Sequence, residues 1–112
     1  METVVIPKPA YNVLRRLTGE SRPDVALTLA LKDLIHFRLD ASREKIAAFK
    51  QKYNANLAEF EQMWQAGKIA EKYSYPVEND LWEWEAATTD AAAFEEFLRR
   101  IVEQANQQQS SA

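Results

Sequence analysis

The sequence predicts a mainly α protein: a short N-terminal strand, then four to five helices, forming a strand–helix–helix unit followed by a helical arm. Three observations carry that prediction. Only 2 Gly and 4 Pro in 112 residues leave little for the turns of a many-stranded sheet. Apolar residues recur at i, i+3, i+4 spacing along most of the chain. The exception is residues 2–6, Glu-Thr-Val-Val-Ile, β-branched after Glu2 and ended by Pro7 and Pro9.

That run is too short to form a sheet alone, so it needs a partner strand. After Pro9, the positions Ala10, Val13, Leu14 and Leu17 share one helix face, and Gly19 stands where a left-handed cap is expected. Ser21, Pro23 and Asp24 mark the start of a second helix with the stripe Leu27, Ala30, Leu31, Leu34 and Ile35. A break or kink is expected at Asp40–Ser42. Beyond it, Ile46, Phe49 and Tyr53 continue the helical spacing. Asn56 with Glu59 resembles a capping box opening a helix through Leu57, Phe60, Met63 and Trp64 that stops at Gly67. Residues 69–77 read as a connector, and Asn79 or Asp80 as the cap of the next helix. Thr88–Asp90 reads as a junction before a last helix with Phe94, Phe97, Leu98 and Ile101. The Gln/Ser-rich end, 106–112, reads as a frayed tail. The domain expectation is therefore 1–40 for dimerisation, 41–105 for partner binding, and the tail.

Composition narrows the function. There are no cysteines and one histidine, His36, which excludes disulfides, thiolate metal sites and two-histidine zinc motifs. No apolar run reaches the roughly 18 residues of a membrane span, and a signal-peptide core is missing, so a cytoplasmic chain without membrane contact is expected. No cofactor is expected. The carboxylates of Glu83 and Glu85, or Glu95 and Glu96, do not converge on a helix, and no nucleophile–base pair or phosphate loop accompanies them, so the reading is not an enzyme.

The charge is uneven. The formal net charge is −3, with +3 in residues 1–50 and −6 in residues 51–112; from Glu78 to Glu96 there are seven acids and no base. Two binding roles fit that asymmetry.

The order strand, short helix, Leu-rich helix over Val4–Ile6, Pro9, Gly19, Ser21 and Leu27–Leu39 resembles the ribbon-helix-helix proteins. The resemblance implies a homodimer built on Val4, Val5, Ile6, Leu31 and Leu34. It also implies operator-DNA contacts from Thr3, Lys8, Ser21 and Arg22. Of an outer strand face made by Thr3, Val5 and Pro7, only Thr3 offers a hydrogen-bonding side chain, which weakens base reading. Phosphate binding by Ser21, Arg22 and the free N–H groups of the helix start remains.

A second resemblance rests on Phe49-Lys-Gln-Lys-Tyr53, Glu59-Phe60-Glu61, Trp64, Gly67, Ile69, Ser74-Tyr75, Val77-Glu78, Asp80 and Trp82-Glu83-Trp84-Glu85. This stretch is similar to antitoxin proteins of two-gene toxin–antitoxin modules. It implies binding and occlusion of a cognate toxin by Trp64, Tyr75, Asp80, Trp82, Glu83, Trp84 and Glu85. On a helix, Leu81, Trp84 and Glu85 share a face while Trp82 and Glu83 point elsewhere, so the two tryptophans either divide between core and partner surface or both anchor the fold. The alternatives are a DNA-binding regulator of the ribbon-helix-helix type and a helical adaptor with no DNA role.

Overall fold

The computed structural model describes residues 3–69 and 74–110, with side chains through Glu103. Four helices account for the described structure: α1 (Lys8–Thr18), α2 (Pro23–Tyr53), α3 (Leu57–Gln65) and α4 (Tyr75–Ser110). The expected N-terminal strand is corrected, and with it the ribbon-helix-helix architecture. Residues 3–7 form no strand, and no strand is found among the described residues. Val4 and Val5 are exposed, and Pro7 and Pro9 have no N–H for a ladder. High β-propensity makes no strand where no neighbouring backbone supplies its hydrogen bonds.

The local stop and start signals act where the sequence puts them. Gly19 takes a left-handed conformation (φ 73°) and its N–H closes α1 on the Arg15 carbonyl at 2.9 Å. Asn56 caps α3: its side chain accepts from the Glu59 N–H at 2.8 Å while Glu59 accepts from the Asn56 N–H at 3.3 Å. The expected interruptions are absent. α2 runs unbroken through Asp40–Ser42, and α4 through Thr88–Asp90. Thr88 is accommodated because its hydroxyl donates to the Trp84 carbonyl, 2.9 Å away, inside the helix. α4 starts at Tyr75 rather than at Asn79 or Asp80, so Tyr75–Val77 are helical; Ile69 and Ser74 lie in bends, and residues 70–73 of the expected connector lie outside the described residues. The expected frayed tail is helical to Ser110, as glutamine's good helix propensity allows. Ser111 and Ala112 lie outside the described residues.

The chain divides into two compact units, one made of residues 1–37 and 97–112 and the other of 38–96. The second unit holds the aromatic core. Phe60, Leu81 and Trp84 are buried together, with Ile46, Phe49, Tyr53, Leu57, Met63, Trp64, Ile69 and Val77 packed against them. Trp84 is at its centre. Its ring lies 5.6 Å from Phe49, 6.0 Å from Tyr53 and 5.3 Å from Phe60, the first two stacked and the third tilted. Such pairs add roughly 0.5–1.5 kcal/mol each beyond area burial.

A polar latch closes one edge of this core. The Tyr53 hydroxyl donates to Asp80 Oδ2 at 2.6 Å, and the Lys52 ammonium pairs with the same oxygen. Burial pushes the Asp80 carboxyl up, but the hydrogen bonds from Lys52 and Tyr53 outweigh it and hold the group below its ordinary value. Burial and the bond to Asp80 push the Tyr53 phenol up to about 12. A carboxyl whose folded pKa is lowered stabilises the fold above its unfolded value, and that contribution disappears as pH falls through the folded value. A phenol with a raised folded pKa stabilises below its unfolded value and loses that contribution as pH rises from its ordinary 10 to about 12.

Two outcomes follow. Trp84→Ala lowers unfolding stability by about 3–5 kcal/mol, whereas Trp82→Ala changes it by less than about 0.5 kcal/mol, as chemical denaturation followed by circular dichroism will show. Asp80→Asn lowers stability at neutral pH and flattens the loss of melting temperature between about pH 4 and the acid limit, because the variant has no carboxylate to protonate.

Candidate protein-binding surfaces

The helical turn of α4 sorts the expected partner-binding residues into three places. Positions 75, 78, 82, 85 and 89 follow a three–four spacing, so Tyr75, Glu78, Trp82, Glu85 and Thr89 lie along one side of the helix. On that side Tyr75 is 73% exposed and Trp82 59% exposed. Glu85 is exposed and Glu78 half-buried. Of the residues singled out from sequence, the fold brings together Tyr75, Trp82 and Glu85. Glu85, expected on the face of Leu81 and Trp84, is instead exposed on the Trp82 side; the same three–four spacing adds Glu78 and Thr89, which were not singled out from sequence.

The other members lie elsewhere. Trp84 is a correction: it is fully buried and presents no surface to a partner. Its position two residues after Trp82 sends it to the far side of the helix, with Leu81 and Ala87. Asp80 is mostly covered in the latch with Lys52 and Tyr53. Trp64 is half-buried at the margin of the core, its ring 6.1 Å from Phe60. Glu83 is exposed but faces a shallow groove of about 230 Å³ between α2 and α4, not the Trp82 stripe. Arg38 and Lys45 line that groove opposite Glu83 and Asp90, over a floor that includes Ala41 and Ala87. Its charges balance, so it favours neither an anion nor a cation. Among the described residues, no three His, Asp or Glu side chains gather as a metal-ligand set, and no helix is long and apolar enough to cross a membrane.

The expected phosphate site near Ser21 is occupied from within. Glu20 Oε1 accepts from the Arg22 backbone N–H at 3.1 Å and from the Arg22 guanidinium at 3.2 Å. The backbone hydrogen bond and then the guanidinium hold the Glu20 carboxyl below its ordinary range. A phosphate at this helix start must therefore displace a carboxylate already using two of its donors. Ser21 is exposed, and its carbonyl accepts from the Tyr11 hydroxyl. Thr3 and Lys8 are exposed, but without a strand they share no reading face.

The residues expected to dimerise are mostly on the surface of one chain. Val4, Val5, Leu31 and Leu34 are exposed, and Ile6 is half-buried. Val13 and Leu17 on α1 and Leu27 and Phe37 on α2 are exposed as well. α1 buries no residue at all. This first unit thus leaves much of its apolar surface open to solvent, more than solitary exposed side chains would explain. A scan against protein-family models, a search of curated proteins and a search of solved structures each found no match to this chain.

Proposed function

We propose that this chain is a non-enzymatic, antitoxin-type protein that binds a basic partner protein and occludes its working surface. The observation that carries this reading is the α4 stripe. Trp82 is 59% exposed beside exposed Tyr75, with Glu78 and Glu85 flanking it, and no Lys or Arg occurs from Ser74 to Leu98. A large aromatic held out in water by a rigid helix is the kind of anchor that dominates protein interfaces. The acids around it give electrostatic complementarity to a cationic surface, which acts on approach and orientation more than on final affinity. Toxins that act on RNA or nucleotides typically surround their sites with positive charge, so an acidic, aromatic cover fits that class of partner.

In this reading Trp82 and Tyr75 supply contact area, Glu78 and Glu85 steer, and Trp84 contributes only by fixing the helix that carries them. Operator binding has less support, because Glu20 holds the donors that a phosphate would use.

The test is co-expression with the protein encoded by the neighbouring gene, then calorimetry on the purified pair. The parent chain relieves growth arrest and binds the partner. Trp82→Ala weakens binding by about thirtyfold or more, the effect of losing a 2 kcal/mol anchor, while its circular dichroism stays unchanged. Glu85→Gln weakens it less, mainly by slowing association at low salt. Equal affinity for the parent chain and Trp82→Ala removes this placement of the interface.

A further inference from the structure

α2 carries an apolar seam that the described residues leave largely exposed. Leu27, Ala30, Leu34, Phe37 and Ala41 recur at alternating spacings of three and four, the a and d positions of a heptad repeat. Leu27, Leu34 and Phe37 are exposed, Phe37 to 70%, Ala30 is half-buried, and Ala41 stands where the seam meets the groove towards α4. The opposite side of the same helix, with Ile35 and Leu39, is buried within the chain. The helix is therefore apolar on two sides, and the described residues pack over only one of them.

The flanks of the seam indicate what fits the other. Asp33 and Asp40 occupy the g positions, and Leu31, Arg38 and Lys45 the e positions. In a parallel pair, g of one helix meets e of the following heptad on the other, five residues on. That register sets Asp33 against Arg38 and Asp40 against Lys45, each twice by symmetry. In an antiparallel pair g meets g and e meets e, which sets like charges together. Neither Asp33 nor Arg38 has an ion-pair partner among the described residues. Glu44 stands at the next d position, so the seam ends at Ala41. Two heptads are short, and Val13 and Leu17 of α1 offer further exposed apolar area in the same unit.

We propose that two copies of this chain associate through α2 in parallel, with Leu27, Ala30, Leu34 and Phe37 at the contact and Asp33 of each copy paired with Arg38 of the other. This dimer needs no N-terminal strand and is independent of the α4 surface.

Light scattering across a concentration series tests it. The parent chain has twice the 12.9 kDa chain mass, and Leu34→Glu has the single-chain mass with its helicity retained. Arg38→Asp and Asp33→Arg each place like charges at the flank and weaken dimerisation by about tenfold, and the double exchange restores it. The rescue separates pairing from a general loss of fold. The chain has no cysteine, so Ala30→Cys oxidises to a disulfide-linked dimer only if the two seams run parallel and in register. A parent chain that stays monomeric, including one that instead binds anionic vesicles or another protein through Leu34 and Phe37, overturns the proposal. A dimer that survives Leu34→Glu, or one that Ala30→Cys fails to cross-link, overturns it as well.

Discussion

The packing of Trp84 against Phe49, Tyr53 and Phe60 is the contact on which the second unit depends. It joins three helices at one ring: α2 supplies Phe49 and Tyr53, α3 supplies Phe60, and α4 supplies Trp84. α3 has only nine residues and would not persist alone in water, so it is held by burying Phe60 there. The start of α4 is held in the same way, through Leu81 and the Asp80 latch. Surface ion pairs add little to this. Arg43 and Glu95 meet at 3.0 Å, but both are more than half exposed, where such pairs contribute at most about 1 kcal/mol.

Fixing one side of α4 determines the other. A helix pinned through Leu81, Trp84 and Ala87 turns Tyr75, Trp82 and Glu85 outward. The proposed partner surface is therefore rigid because the side chains behind it are buried. That matters for binding, since an anchor already held in place loses little freedom on association. The first unit is built differently. Its helices bury little and expose Leu27, Leu34 and Phe37. The aromatic core thus stabilises the second unit from within, whereas the first unit has apolar area available for association.

Much of the fold was legible in the sequence. Gly19, the Asn56–Glu59 capping box and the apolar spacing in each helix announce their elements, because these signals act within one turn of backbone. Tertiary context decided the rest. Val4–Ile6 has the composition of a strand but no ladder to join. Asp40–Ser42 and Thr88–Asp90 look like breaks, yet burial of Leu39 and Ser42 on α2, and of Ala87 and Ala91 on α4, carries each helix through. For the candidate site, helical spacing separated Trp82 from Trp84, but only packing showed which of them faced the core. The Glu20 carboxylate at the expected phosphate site was legible only in part: an acid beside Arg22 is visible in the sequence, while its capture of the backbone N–H depends on the geometry of the turn.

In the proposed function, Trp84 and Trp82, two residues apart, divide folding and binding between them. Fluorine NMR of the chain labelled with 5-fluorotryptophan, recorded in H2O and D2O with and without the partner protein, tests that division directly. Three resonances are expected: Trp82 with a large solvent isotope shift that shrinks when the partner binds, Trp64 with an intermediate one, and Trp84 with none in either state. A Trp84 resonance that senses solvent, or a Trp82 resonance that the partner leaves unchanged, would contradict it.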